Sequence, residues 1–213
     1  MKMKKIAMVV LGFGLSVWLY ADDLNKSING MDMEALKMGD PKKMIEVFTK
    51  ACENGNMVGC FNLGMMYEAG EDVKQDKAKA ARYYEKACDG NDSLACRNLG
   101  VMYANGEGVK EDKAKAAELY HKACEHKDAG GCLALGFMYG SGKGVQEDKA
   151  KAAEFYAKAC EGNVALGCLA LAFMYESGEG VKQDIQKAKE FYDKACKGGD
   201  VDGCEKYKKL LNP

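Results

Sequence analysis

Ten cysteines are the residues in this chain whose type and spacing most clearly imply chemistry. They fall in pairs, Cys52 and Cys60, Cys88 and Cys96, Cys124 and Cys132, Cys160 and Cys168, Cys196 and Cys204. Within each pair the separation is eight residues, and successive pairs are 36 residues apart without a slip. Such thiols can oxidise to disulfides or ligate a metal as thiolates. Zinc sites favour clustered Cys or His at spacings such as Cys-x2-Cys, and pairs displaced by a whole repeat do not cluster. His121 and His126 are the only histidines and neither recurs, so both read as exposed spectators. No metal and no cofactor is implied.

Geometry gives the disulfide reading a structural consequence. Residues eight apart on one helix have Cα atoms about 12 Å apart, whereas a bridge needs less than about 7 Å. The chain must therefore reverse between the two cysteines of a pair, and Asp89-Gly90-Asn91-Asp92 supplies such a turn. Each bridge then joins the end of one helix to the start of the next, and closing so short a loop contributes about 2–3 kcal/mol in the chain-entropy model.

A fixed period of this length signals stacked helix–loop–helix units. Tyr67, Tyr103, Tyr139 and Tyr175 keep the period, as do Gly70, Gly106, Gly142 and Gly178, and Asp76, Asp112, Asp148 and Asp184. In the second unit a first helix is predicted over about Leu94 to Asn105, with Leu99, Met102 and Tyr103 on one stripe and Gly100 at a close helix approach. Gly106-Glu107-Gly108 ends it, and Asp112 is placed as an N-cap. The second helix, Lys113 to Cys124, is predicted to bury Ala116, Leu119, Tyr120 and Ala123 and to turn its Lys and Glu residues to water.

Lys2, Lys4 and Lys5 precede an apolar run from Ile6 to Tyr20, and Ala21 is followed by Asp22. That pattern reads as a secretory leader cleaved after Ala21, too short for a comfortable membrane span. The mature chain is expected to be secreted or periplasmic with no membrane anchor, and ten cysteines suit an oxidising compartment. A formal net charge of −1 gives no reason to expect a nucleic-acid partner.

The repeated pattern L-G-x-M-Y-x-x-G-x-G-V-x-x-D-x-x-K-A-x-x-x-Y-x-K-A-C resembles the Sel1-like repeat, a relative of the tetratricopeptide repeat. With Cys-x7-Cys in every unit and the leader, the chain resembles the Helicobacter cysteine-rich protein family. The resemblance implies an all-α fold, a right-handed α-solenoid of antiparallel helix pairs stapled by disulfides. The expected organisation is a leader at 1–21, a degenerate N-terminal cap at 22–57, repeats at 58–93, 94–129, 130–165 and 166–200, and a C-terminal capping helix at 201–213. Asp72, Ala172 and Ile185-Gln186 depart from the repeat pattern.

That family is associated with penicillin binding, slow β-lactam hydrolysis and host-facing secretion, which makes β-lactams candidate ligands. The residues for hydrolysis are not recognisable. Ser27, Ser93, Ser141 and Ser177 have no Lys three positions on, Thr49 is the only threonine, and the Ser-x-x-Lys, Ser-Asp-Asn and Lys-Thr-Gly elements do not occur. Catalytic residues are therefore unassigned, and an enzyme remains an alternative by resemblance alone.

A binding role has more behind it, because helical repeats commonly present their first helices as one recognition surface. By analogy with tetratricopeptide geometry, that side carries Phe61, Arg97, Leu133 and Leu169 in one column and Met65, Val101, Phe137 and Phe173 in another. Asn62 and Asn98 lie beside them, where positions 134 and 170 are alanine. Leu63, Leu99, Leu135 and Leu171, with Met66, Met102, Met138 and Met174, read as packing. The expected partner is a peptide, a protein or a cell-wall-derived ligand. It would set a carboxylate on Arg97 and apolar groups against Phe137 and Phe173.

Overall fold

A computed structural model describes residues 41–70 and 73–211, together with the backbone of two three-residue strands. The strands β1 (Met8–Val10) and β2 (Ser16–Trp18) pair antiparallel within the segment read as a leader, and the repeat region is all-α as expected. The rest of that segment, and residues 22–40 of the expected N-terminal cap, lie outside the described residues. Everything else described is helical: α1 (Pro41–Glu53), α2 (Met57–Ala69), α3 (Lys77–Asp89), α4 (Ser93–Asn105), α5 (Lys113–Glu125), α6 (Ala129–Ser141), α7 (Lys149–Glu161), α8 (Ala165–Ser177), α9 (Ile185–Lys197) and α10 (Val201–Leu211). The chain divides into two compact units, Met1–Asp92 and Ser93–Pro213.

Local chemistry sets the helix limits. Asp76, Asp112, Asp148 and Asp184 each accept a backbone N–H from the residue three positions on, at 2.8, 2.9, 3.0 and 3.0 Å, which satisfies one of the donors left free in a first turn. At the other end of the loop, the N–H groups of Asp112, Asp148 and Asp184 donate to the carbonyls of Tyr103, Tyr139 and Tyr175, each at 2.9 Å. Both halves of the loop are thus anchored by the periodic Tyr and Asp.

In the first unit, α2 packs on α1 and α3, burying Leu63, Met66, Ala80, Tyr84 and Ala87. In the second unit, each first helix packs on the second helix that follows it, and α5 and α7 pack in turn on α6 and α8. Leu99, Met102, Leu135, Met138 and Leu171 are buried as the packing columns require, with Met174 half-buried. The expected close approach at Gly100 is present: a Cβ there would lie 2.7 Å from the Tyr120 ring. Leu119 corrects the sequence reading, for it is half-buried. Its column carries Tyr83, Phe155 and Phe191 in the other repeats, rings that stack on Tyr67, Tyr139 and Tyr175; Tyr83 and Phe191 are half-buried as well, so the column lies at the flank of the buried stripe.

Cys52–Cys60, Cys124–Cys132, Cys160–Cys168 and Cys196–Cys204 are bridged, with Cα separations of 4.6, 4.6, 4.5 and 4.4 Å. Cys88 and Cys96 are also oxidised. The turns between paired cysteines reverse through one residue in the left-handed region: Gly55, Asn91, Lys127, Asn163 and Gly199. Gly and Asn adopt that conformation at low cost; Lys127 is the exception in the column.

Candidate functional site

Along α4, α6 and α8 the repeat register places one column after another on a shared face. Val101, Phe137 and Phe173 stand at the same position of these three helices and are 41%, 47% and 40% exposed, unusual for large apolar side chains recurring in one row. Leu133 is half-buried and Leu169 buried, so that column forms the floor between the exposed rings. Leu94 and Leu166, one turn earlier, are also exposed. These two were not singled out from sequence, although their spacing of three residues before Arg97 and Leu169 puts them on the same stripe.

The exposed rings are held rather than loose. Phe137 meets the buried Tyr156 edge-on at 5.4 Å, and Phe173 meets Tyr192 in the same way at 5.4 Å. Beyond Phe173 the face turns polar. Lys206 of α10 lies over the Phe173 ring at 4.9 Å and 3.5 Å from the Glu176 carboxylate. Two cavities flank Phe173, one of about 380 Å³ shared with Glu176, Ser177 and Lys206, the other of about 240 Å³ shared with Asp202, Glu205 and Lys209.

At the opposite end of this unit, Arg97 lies flat where Gly130 leaves room, since a Cβ on Gly130 would sit 2.7 Å from the guanidinium. Arg97 Nε lies 3.2 Å from Asp128 Oδ1. That nitrogen is buried and makes no hydrogen bond, so the contact is an ion pair with the N–H off line. The same Asp128 oxygen caps α6 by accepting from Gly131 N at 2.5 Å. The Arg97 side chain as a whole is 38% exposed while its Nε is held beside Asp128. Asn98 beside it is half-buried.

The three remaining expected residues belong to the first unit. Phe61 is half-buried with its ring 5.8 Å from that of Tyr84, and Met65 is half-buried. Asn62 is buried and its amide donates to the Val58 carbonyl at 2.7 Å, so its N–H group is committed to its own helix. The second unit therefore brings together Arg97, Asn98, Val101, Leu133, Phe137, Leu169 and Phe173.

Two of the serines weighed above are bonded within the repeats. Ser141 Oγ donates to the Phe137 carbonyl at 2.7 Å and Ser177 Oγ to that of Met174 at 3.4 Å, each within its own helix. Among the described residues no group of His, Cys, Asp and Glu is arranged to hold a metal ion.

The Sel1 repeat model matches at residues 58–92, 93–128, 129–164 and 165–200. The chain belongs to the Sel1 repeat family. Among solved structures, this Sel1 repeat protein is similar to a Sel1 repeat protein from Oxalobacter formigenes, at 32% identity over 77% of this chain and 67% of that one, with a TM-score of 0.71. It is also similar to Helicobacter pylori cysteine rich protein B, at 38% identity over 64% of this chain and 98% of that one, with a TM-score of 0.51. An immunity protein from Pseudomonas aeruginosa shares the fold at 21% identity, over 87% of this chain and 69% of that one, with a TM-score of 0.50. No curated protein matches the sequence. No helix among the described residues of this Sel1 repeat protein is long and apolar enough to cross a membrane.

Proposed function

We propose that this protein is an extracytoplasmic interaction protein that captures an extended polypeptide segment along the first-helix face of α4, α6 and α8. The observation that carries the reading is the row of Val101, Phe137 and Phe173, three exposed apolar side chains in one register on the first helices of successive repeats. Leaving them in water forgoes roughly 25 cal/mol for each Å² of apolar surface, which a partner laid across the row would recover. Repeat solenoids commonly use such a face for extended ligands. Oxidised cysteines support a compartment that permits disulfides.

The test is panning of phage-displayed random peptides on the oxidised protein, followed by titration of synthetic versions of the enriched sequences. Enriched peptides should contain aromatic or aliphatic anchors and bind the Phe137→Ala/Phe173→Ala double variant at least tenfold more weakly. No enrichment, or equal binding to the variant with its fold intact by circular dichroism, overturns the reading.

A further inference from the structure

The buried tyrosine of each second helix differs between repeats in what its hydroxyl meets. In the first unit Tyr84 donates to Glu68 Oε2 at 2.6 Å. In the second unit Tyr192 donates to Glu176 Oε2. In both cases the carboxylate stands four positions after the column of Gly64, Gly100, Gly136 and Ala172. The two intervening repeats lack it: the equivalent residues are Ala104 and Gly140. Tyr120 and Tyr156 are only 6% and 7% exposed, and their hydroxyls make no hydrogen bond among the described residues.

Tyr84 and Tyr192 thus commit their hydroxyls to a carboxylate of the fold, whereas those of Tyr120 and Tyr156 have no such acceptor. These hydroxyls are not sealed, because Arg97 Nε is the one fully buried side-chain polar atom without a hydrogen bond among the described residues. The Tyr156 ring crosses Gly136, touches Phe137 edge-on and ends 3.6 Å from where a Gly140 Cβ would be. Phe137 and Gly140 are three apart on α6, so the hydroxyl opens beside Phe137 on the same face. Tyr120 lies in the same relation to Gly100 and within the field of Arg97. Within α4 and α6 themselves Arg97 is the only charged side chain; Asp128, the cap of α6, pairs with its Nε at 3.2 Å, and the side chain stays 38% exposed.

We infer that Tyr120 and Tyr156 are the ligand-reading residues of this face, donating their hydroxyls to carbonyl oxygens of a bound polypeptide whose acidic side chain lies over Arg97. The inference rests on the binding face proposed above and adds the polar half of its recognition. Ala104 and Gly140 stand where the other two repeats carry glutamate, which leaves the two hydroxyls to a partner, and Phe137 lies against the Tyr156 ring beside one of them. Tyr156 holds its proton up to about pH 12 because burial disfavours the phenolate, so it is a donor throughout the neutral range.

The test uses the peptides enriched by phage display on the whole oxidised protein. Tyr156→Phe keeps the ring and removes the hydroxyl, and should weaken binding about fivefold to tenfold, one hydrogen bond, with the melting temperature unchanged or raised. Gly140→Glu has room for its Cβ and should rebuild the pairing seen at Tyr192 and Glu176. It should weaken binding by tenfold or more while stabilising the fold. Replacing the peptide's Glu or Asp with Gln or Asn should cost affinity in wild type and none in Arg97→Ala. If Phe137→Ala/Phe173→Ala abolishes binding but Tyr156→Phe and Gly140→Glu both bind within twofold of wild type, this inference fails and the binding face stands. If the double variant binds normally, the face itself is refuted.

Discussion

Gly136 and Tyr156 are packed so closely that a Cβ on the glycine would lie 2.7 Å from two ring carbons of the tyrosine. The contact fixes how near a first helix comes to the second helix that follows it, and so where the tyrosine hydroxyl emerges beside Phe137. Ala172 occupies the same column and is fully buried near Tyr192, so a methyl group is accommodated when the ring shifts slightly. Gly136→Ala should accordingly cost no more than about 1 kcal/mol, since better helix propensity offsets part of the crowding. Gly136→Val should cost about 2–3 kcal/mol, read as a lower urea midpoint at unchanged slope. A valine variant as stable as wild type would show that the approach is slack.

Lys127 is held at φ 66° in a column otherwise made of Gly and Asn. A side chain with a Cβ pays roughly 1–2 kcal/mol there. Lys127→Gly or Lys127→Asn should therefore raise stability by about 1 kcal/mol, seen as an upward shift in thermal midpoint with the disulfides intact. A fall in the midpoint would mean that the lysine makes a compensating contact.

The buried tyrosines make stability sensitive to alkali. Burial raises the Tyr156 phenol to about 12, and Tyr120 and Tyr192 are raised for the same leading reason. An unfolded tyrosine ionises near pH 10. Between about pH 10 and 12 the unfolded chain has released a proton that folded Tyr156 keeps, so stability is complete below that window and falls as pH rises through it. The share from Tyr156 is about 2–3 kcal/mol. Urea midpoints should drop between about pH 9.5 and 11.5, and less steeply in Tyr156→Phe. Parallel profiles would refute the assignment to Tyr156.

Much of the architecture is legible in the sequence. Cys-x7-Cys at a constant period demands a chain reversal, and the bridges Cys52–Cys60, Cys124–Cys132, Cys160–Cys168 and Cys196–Cys204 have it. Asp112 as a cap and the burial of Ala116, Tyr120 and Ala123 followed from spacing alone, because capping and helical periodicity are local properties. Leu119 was misjudged for the opposite reason: which flank of an amphipathic stripe is covered depends on the neighbouring helix.

For the face, the sequence by itself determined the columns, since identical periods force identical registers. It placed Val101, Phe137 and Phe173 in one row. Only the tertiary structure decided that this row is exposed while Leu169 is buried, that Asn62 turns its amide to Val58, and that Arg97 lies on Gly130 with its Nε held beside Asp128. It alone revealed that Tyr120 and Tyr156 end without a carboxylate. Burial and hydrogen bonding depend on groups far apart in the chain meeting in space, and a repeat pattern records the positions of those groups but not which of them meet.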